Sequence, residues 1–275
     1  MFILINGLYN NQELSQTSID KILGFSMGRT YKLMKKLGIP ARSDREKSLK
    51  YSCNEAYFSS IDTEEKAYWL GFLYADGYIQ SKRKHSSRKV GISLKESDFE
   101  HLKKFSQAID YNGSIHHYVS KSSYADSCEY CRLLISAPQM ADDLIAKGCI
   151  EHKTDCVLFP DENIVPLNLM RHFVRGYFDG NGCITHGQVV NGIFKDYRIK
   201  LVAPKEFLLG FLTWIGKPEI TLCKRHKDRK TNTYDITIGG TKQVKHILDL
   251  LYRDCAVSLD RKYKLYLQFI EQTKE

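Results

Sequence analysis

The stretches GFLYADGYI (residues 71–79) and GYFDGNGCI (residues 176–184) are copies of one pattern, 105 residues apart. Each runs from an apolar helical segment, YWLGFLYADG or HFVRGYFDGNG, through a glycine into residues that alternate like a strand. Small residues recur four positions apart, Gly71 with Ala75 and Gly176 with Gly180, so each pair shares one helix face. Small faces let two backbones approach closely, and the two copies therefore predict a helix–helix seam. Asp76 ends the first helix, with Gly77 as its C-cap. A carboxylate there faces the negative end of the helix dipole, at a cost of about 0.3–1 kcal/mol. Packing alone gives no reason for that placement, whereas a bound cation does.

Working outward, each copy heads a longer unit. The first begins with the capping-box-like Asp62-Thr63-Glu64-Glu65. After its helix come strands near 78–83 and 89–95, a helix over 97–109, strands near 114–120 and 129–136, and a helix over 138–147. From Pro166 the order restarts: a helix, strands near 183–188 and 193–202, a helix over 204–215, strands near 219–226 and 233–238, and a helix over 241–253. A last helix covers 260–272. Each unit reads αββαββα, which predicts an α+β fold of tandem units with antiparallel sheets and pseudo-twofold symmetry. His152-Lys153-Thr154 and Arg261-Lys262-Tyr263 also match, so the repeat pairs Lys153 with Lys262.

The first fifty residues differ. Residues 2–10 can form one helix, Ser15 can cap a second, and Ser26 a third that Gly38 and Pro40 end. Three short helices with a glycine-containing turn before the last match a helix-turn-helix. Arg29, Thr30 and Lys32, together with Met27, would then face DNA. The chain divides into a helix-turn-helix domain (1–40), a basic linker (41–57) and two units (58–160 and 161–275).

Bulk properties agree with a polyanion partner. Lys and Arg number 41 against 32 Asp and Glu, a net charge of +9 on 275 residues. No apolar run approaches the length of a membrane span, and no secretory or mitochondrial leader is recognisable. Cytoplasmic location, in a bacterial or phage-encoded protein, is the expectation. Eight cysteines are scattered, with Cys128-Glu-Tyr-Cys131 the one close pair and no second pair to complete a zinc site. They read as reduced thiols.

YWLGFLYADGYI and HFVRGYFDGNGCI resemble the two signature helices of LAGLIDADG homing endonucleases in their single-chain, two-motif form. The resemblance spans about residues 58–272. It implies saddle-shaped antiparallel sheets lying along the major groove of a long, roughly pseudo-palindromic duplex, with the motif helices at its centre. It further implies metal-dependent cleavage of both strands by a monomer that needs no protein partner. By that resemblance Asp76 is a metal ligand, the carbonyls of Ala75 and Gly180 assist, and Lys153 and Lys262 lie near the scissile phosphates. Mg²⁺ suits oxygen ligands with an open coordination sphere. The second acidic position falls on Asn181, which offers a carbonyl oxygen without charge. Asp179, about 200° around the helix, does not replace it. Impaired or absent cleavage follows, and a non-cleaving binder, a transcriptional regulator or an intron maturase, is the alternative. The chain ends, Met-Phe and Thr-Lys-Glu, lack the nucleophile and terminal Asn of an intein.

Strand alternation sorts the reading surface. Ile79 and Ile184 face the core, which leaves Tyr78, Gln80, Lys82, Cys183 and Thr185 on the opposite face. Lys89, Ser93, Lys95, Arg132, Arg198 and Lys200 can join them. Two basic tracts, 81–89 with Lys82 and Lys84, and 223–230 with Lys224, Arg225, Lys227 and Arg229, read as phosphate clamps at hairpin tips.

Overall fold

The computed structural model describes residues 1–12, 14–41, 51–80, 88–122, 125–149, 156–187, 189–190, 193–194, 196–225 and 231–273. Lys82, Lys84, Lys153, Lys227 and Arg229 lie outside the described residues. The chain forms two compact units, Met1–Lys50 and Tyr51–Glu275.

In the first unit, α1 (Phe2–Asn6) continues into a wider π-turn (Gly7–Asn11) and is followed by α2 (Gln16–Ile22) and α3 (Arg29–Lys36). Ile5, Tyr9, Ile19, Met34 and Ile39 form its core. Ser15 caps α2 through Ser18 N at 3.0 Å. Ser26 does not cap α3. The donors at that helix start are taken by Asp20 from α2, which accepts Gly28 N at 2.7 Å, Thr30 N at 2.8 Å and the Thr30 hydroxyl at 2.6 Å. These hydrogen bonds hold the Asp20 carboxyl below its ordinary range. Thr30 is therefore buried and not available to DNA, a correction to its predicted place. Gly28 and Gly38 flank α3 at φ 81° and 68°, the left-handed region that glycine enters without steric cost.

In the second unit, α4 (Glu64–Asp76) passes directly into β1 (Gly77–Gln80), followed by β2 (Lys89–Lys95), α5 (Phe99–Ala108), β3 (His116–Ser122), β4 (Ala125–Ser136) and α6 (Pro138–Ala146). The order repeats as α7 (Met170–Asn181), β5 (Gly182–Thr185), the two-residue pair β6 (Val189–Val190) and β7 (Ile193–Phe194), β8 (Arg198–Pro204), α8 (Lys205–Trp214), β9 (Cys223–Lys224), β10 (Thr233–Gly239) and α9 (Thr241–Tyr252). α10 (Asp260–Gln272) closes the chain. The two four-stranded antiparallel sheets have matching orders, β1-β2-β4-β3 and β5-β8-β10-β9.

Both units of the repeat share one continuous core. Residues 51–57 belong to this body and not to a linker: Asn54 N donates to Ile109 O, and Ser52 and Asn112 bond reciprocally. Gly77 is not a left-handed cap either. Its φ is −73°, and a Cβ there would press on the Leu73 carbonyl oxygen at 2.8 Å, so the glycine serves close approach. No described helix is long and apolar enough to cross a membrane.

Candidate catalytic centre and nucleic-acid interface

The motif helices α4 and α7 cross on their glycines. A Cβ on Gly71 would overlap the carbonyl oxygen of Phe173 and lie 3.0 Å from Tyr177 N. A Cβ on Gly176 would overlap the carbonyl oxygen of Tyr68 and lie 2.8 Å from Phe72 N. One turn on, Gly180 meets Ala75, and its Cβ position is 3.1 Å from Asp76 Oδ2. The seam thus brings Asp76 and Asn181 to one end of the helix pair. The buried Tyr177 hydroxyl donates to Val202 O at 3.4 Å; burial raises its pKa, Asn181 opposes the rise, and the Asp76 charge adds to it.

Asp179 turns the other way. It is fully buried, accepting the Tyr68 hydroxyl at 2.7 Å, the Tyr252 hydroxyl at 2.6 Å and Leu259 N at 2.7 Å. Burial pushes its carboxyl up, opposed by Lys262 and these donors. It is a core residue and supplies nothing to the Asn181 position.

Lys262 requires a correction. The residue is 2% exposed, and its ammonium donates to the carbonyls of Phe178 at 2.6 Å, Asp179 at 2.7 Å and Gly182 at 2.6 Å. It caps the end of α7, where unpaired carbonyls favour a cation. Burial pulls it down to about 8 against the pull of Asp179. With all three donors used, it is not presented to a phosphate.

A second buried group ties the halves together. Arg175, fully buried, donates to Glu64 Oε1 at 2.7 Å, Val257 O at 2.8 Å and Leu251 O at 3.0 Å. Glu64 Oε1 also accepts Ala256 N at 2.8 Å. His172 beside them is pulled down to about 4 by burial and by Arg175, and His101, against Tyr68, to about 3 by burial. Both are neutral at ordinary pH. The repeat shows why the sequence reading missed this network: Arg175 and Asp179 align with Leu70 and Tyr74, so the polar side of the seam exists in one copy only. Opposite charges four apart, Arg175 and Asp179, amid the apolar residues of the motif helix were the available signal.

Register sorts the strand residues predicted to face DNA. On the face opposite Val90, Ile92 and Leu94, Gln80 pairs with Lys89, Ser93 with Arg132, and Lys95 with Tyr130. Arg132 is held there by Ser93 Oγ at 3.2 Å and the Tyr118 ring at 4.9 Å. In the second sheet, Cys183 pairs with Lys200 and Thr185 with Arg198, all exposed. Lys200 lies 3.5 Å from Asp235. Lys224 pairs with Tyr234, which packs on the core, so it occupies the helix-covered side and not the reading face. In the first unit Arg29 and Lys32 are exposed on α3, with Met27 in the turn before it.

The chain covers solved structures of this architecture along most of their length. LAGLIDADG homing endonuclease I-GzeII in complex with its DNA target matches at 11% identity over 77% of this chain and 89% of that one, with a TM-score of 0.49. I-LtrWI bound to target DNA matches at 12% over 80% and 92%, with a TM-score of 0.49. Meganuclease I-SmaMI bound to uncleaveable DNA matches at 11% over 77% and 89%, with a TM-score of 0.47. The chain is similar to LAGLIDADG homing endonucleases. No protein-family model and no curated protein matches the chain.

Asp76 and Asn181 at the ends of the paired helices invite a test of metal fit. Among the described residues no three His, Cys, Asp or Glu gather around a metal position. Mg²⁺ is bound by one or two carboxylates together with substrate phosphate oxygens. Asp76 with the Ala75 carbonyl would meet that pattern at one helix end. The end of α7, with Asn181 and the Gly180 carbonyl, contributes no carboxylate and would not fit a divalent cation on its own.

Proposed function

We propose that the chain is a single-chain LAGLIDADG homing endonuclease, a sequence-specific binder of long duplex DNA whose cleavage is impaired at one centre. The observation that carries this reading is the seam: Gly71 and Gly176 bring α4 and α7 into backbone contact and set Asp76 and Asn181 side by side. Two sheets of matching order then extend exposed polar faces, the form a duplex fits. Asp76 and the Ala75 carbonyl would hold Mg²⁺, which supplies Lewis-acid activation of a phosphodiester. Asp76 fixes the ion's place, the polar strand residues orient the duplex, and the exposed cations bind its phosphates. Both motif helices reside in one chain, so a monomer suffices, without a protein partner and in the cytoplasm.

Asn181→Asp restores the missing charge. Incubated with a randomised duplex pool and Mg²⁺, Asn181→Asp is expected to cut both strands, and the chain as it stands to bind, with nicking at most. No Mg²⁺-dependent cleavage of any duplex by Asn181→Asp would sink the endonuclease reading. Asn181 itself favours a second reading, a binder that has lost cleavage, which that result would support.

The first unit fits a helix-turn-helix, because Asp20 fixes the start of α3 while Arg29, Lys32, Lys35 and Lys36 stay exposed. Removal of residues 1–50 is expected to shorten the footprint and to lower the salt dependence of binding. The log–log slope should fall by close to one unit for each phosphate that the first unit no longer neutralises. An unchanged footprint would remove the first unit from DNA recognition.

A further inference from the structure

A cavity of about 240 Å³ opens beside Asn181, walled by Ala75, Tyr177, the end of β8 and Arg225. Among the described residues its wall contains no carboxylate. Tyr74 and Tyr177, the other titratable groups there, are held neutral by burial. Among the described residues of the wall the one formal charge is the exposed Arg225 guanidinium, which makes no ion pair with a described residue. Asp76 lies beyond Ala75, outside the wall.

The register says where Arg225 stands. Gly182 pairs with Leu201, so Val202–Pro204 extend past the end of α7. Thr233 pairs with Pro204, and Arg225 N donates to Thr233 O at 3.2 Å. Arg225 is thus in the strand row nearest the motif helix end, and not at an outlying hairpin tip. In the first sheet the matching row is Lys95, Tyr130 and Tyr118. Each row contains one cation, Lys95 or Arg225. The two motif helices differ in their last residue, Asp76 in α4 and the uncharged Asn181 in α7.

We propose that the second centre is an anion site, in which Arg225 and Asn181 hold a backbone phosphodiester directly, without a metal. A guanidinium matches two phosphate oxygens with parallel N–H donors. The same guanidinium opposes a divalent cation in that wall, and an uncharged Asn181 adds no second negative charge to that of Asp76, which reaches Tyr177 in the wall. Arg225 is here a positioning residue for the duplex at the cleavage centre. This inference deepens the endonuclease reading and rests on it for the identity of the phosphate's owner.

The test uses the full chain in EDTA and dimethyl phosphate, the smallest phosphodiester monoanion. Titration is expected to shift the Arg225 Nε–H and Asn181 side-chain amide resonances together, saturably. Arg225→Gln should weaken that binding about tenfold, the size of one charge-assisted hydrogen bond. Arg225→Lys should retain part of it, and Asn181→Asp should weaken it at least as much as Arg225→Gln. On a mixed-sequence duplex in EDTA, Arg225→Gln should reduce the salt slope by about one unit. Resonances that do not move, or an isotherm unchanged in Arg225→Gln, would overturn the anion site. Cleavage by Asn181→Asp is read separately: if it never cuts while dimethyl phosphate still binds at Arg225, the endonuclease reading falls and the anion site stands.

Discussion

Gly176→Ala is expected to destabilise the 51–275 body by about 3 kcal/mol or more, read as a fall in the urea midpoint at constant slope. In an ordinary helix interior the same change stabilises by up to about 1 kcal/mol, because alanine has the higher helix propensity. The sign reverses here because the new methyl would overlap the Tyr68 carbonyl oxygen and crowd Phe72 N at 2.8 Å. Those atoms belong to the backbone of a buried helix and cannot rotate away. Gly71→Ala meets the Phe173 carbonyl in the same manner and should match it in direction and size. Gly7→Ala is the contrast: nothing lies within 4 Å of its Cβ position, so it should leave the first unit intact or slightly firmer. A Gly176→Ala protein as stable as the parent would show that the helices do not cross here.

Asp179→Ala should cost about 4–6 kcal/mol. The carboxylate accepts three donors, Tyr68 Oη, Tyr252 Oη and Leu259 N, all inside the core. Its removal orphans them and takes away the counter-charge of buried Lys262. Asp179→Asn keeps one acceptor oxygen and should lose roughly half as much. Chemical denaturation of the three proteins gives the order directly. A loss below about 1 kcal/mol for Asp179→Ala would show that solvent reaches this cluster and satisfies the donors.

The fold and the centre were legible to different depths. Strand alternation placed β2 at Lys89–Lys95, and apolar periodicity placed α10 at Asp260–Gln272, because both present a regular apolar face to one core. The first unit was harder. Ser26 has the residue type of a cap, yet Asp20 from the preceding helix reaches the same donors, across eight and ten residues, a distance that local preference cannot register. Thr30 went to the wrong face for the same reason. Residues 51–57 carry linker-like composition, but their backbone bonds to Ile109 and Asn112, which lie far along the chain.

The duplicated helices, the spacing of Gly71, Ala75, Gly176 and Gly180, and the place of Asp76 against Asn181 are properties of residue order, because helical period alone puts them on one face. Chain order cannot say where a long side chain spends its charge. Lys262, paired with Lys153 by the repeat, points under α7 because three unpaired carbonyls lie within its reach. Arg225, one of several basic residues in its tract, stands beside Asn181 because the pairing of β9 with β10 brings it there. Helix ends and strand registers assign those charges, and both are set by packing between segments distant in the chain.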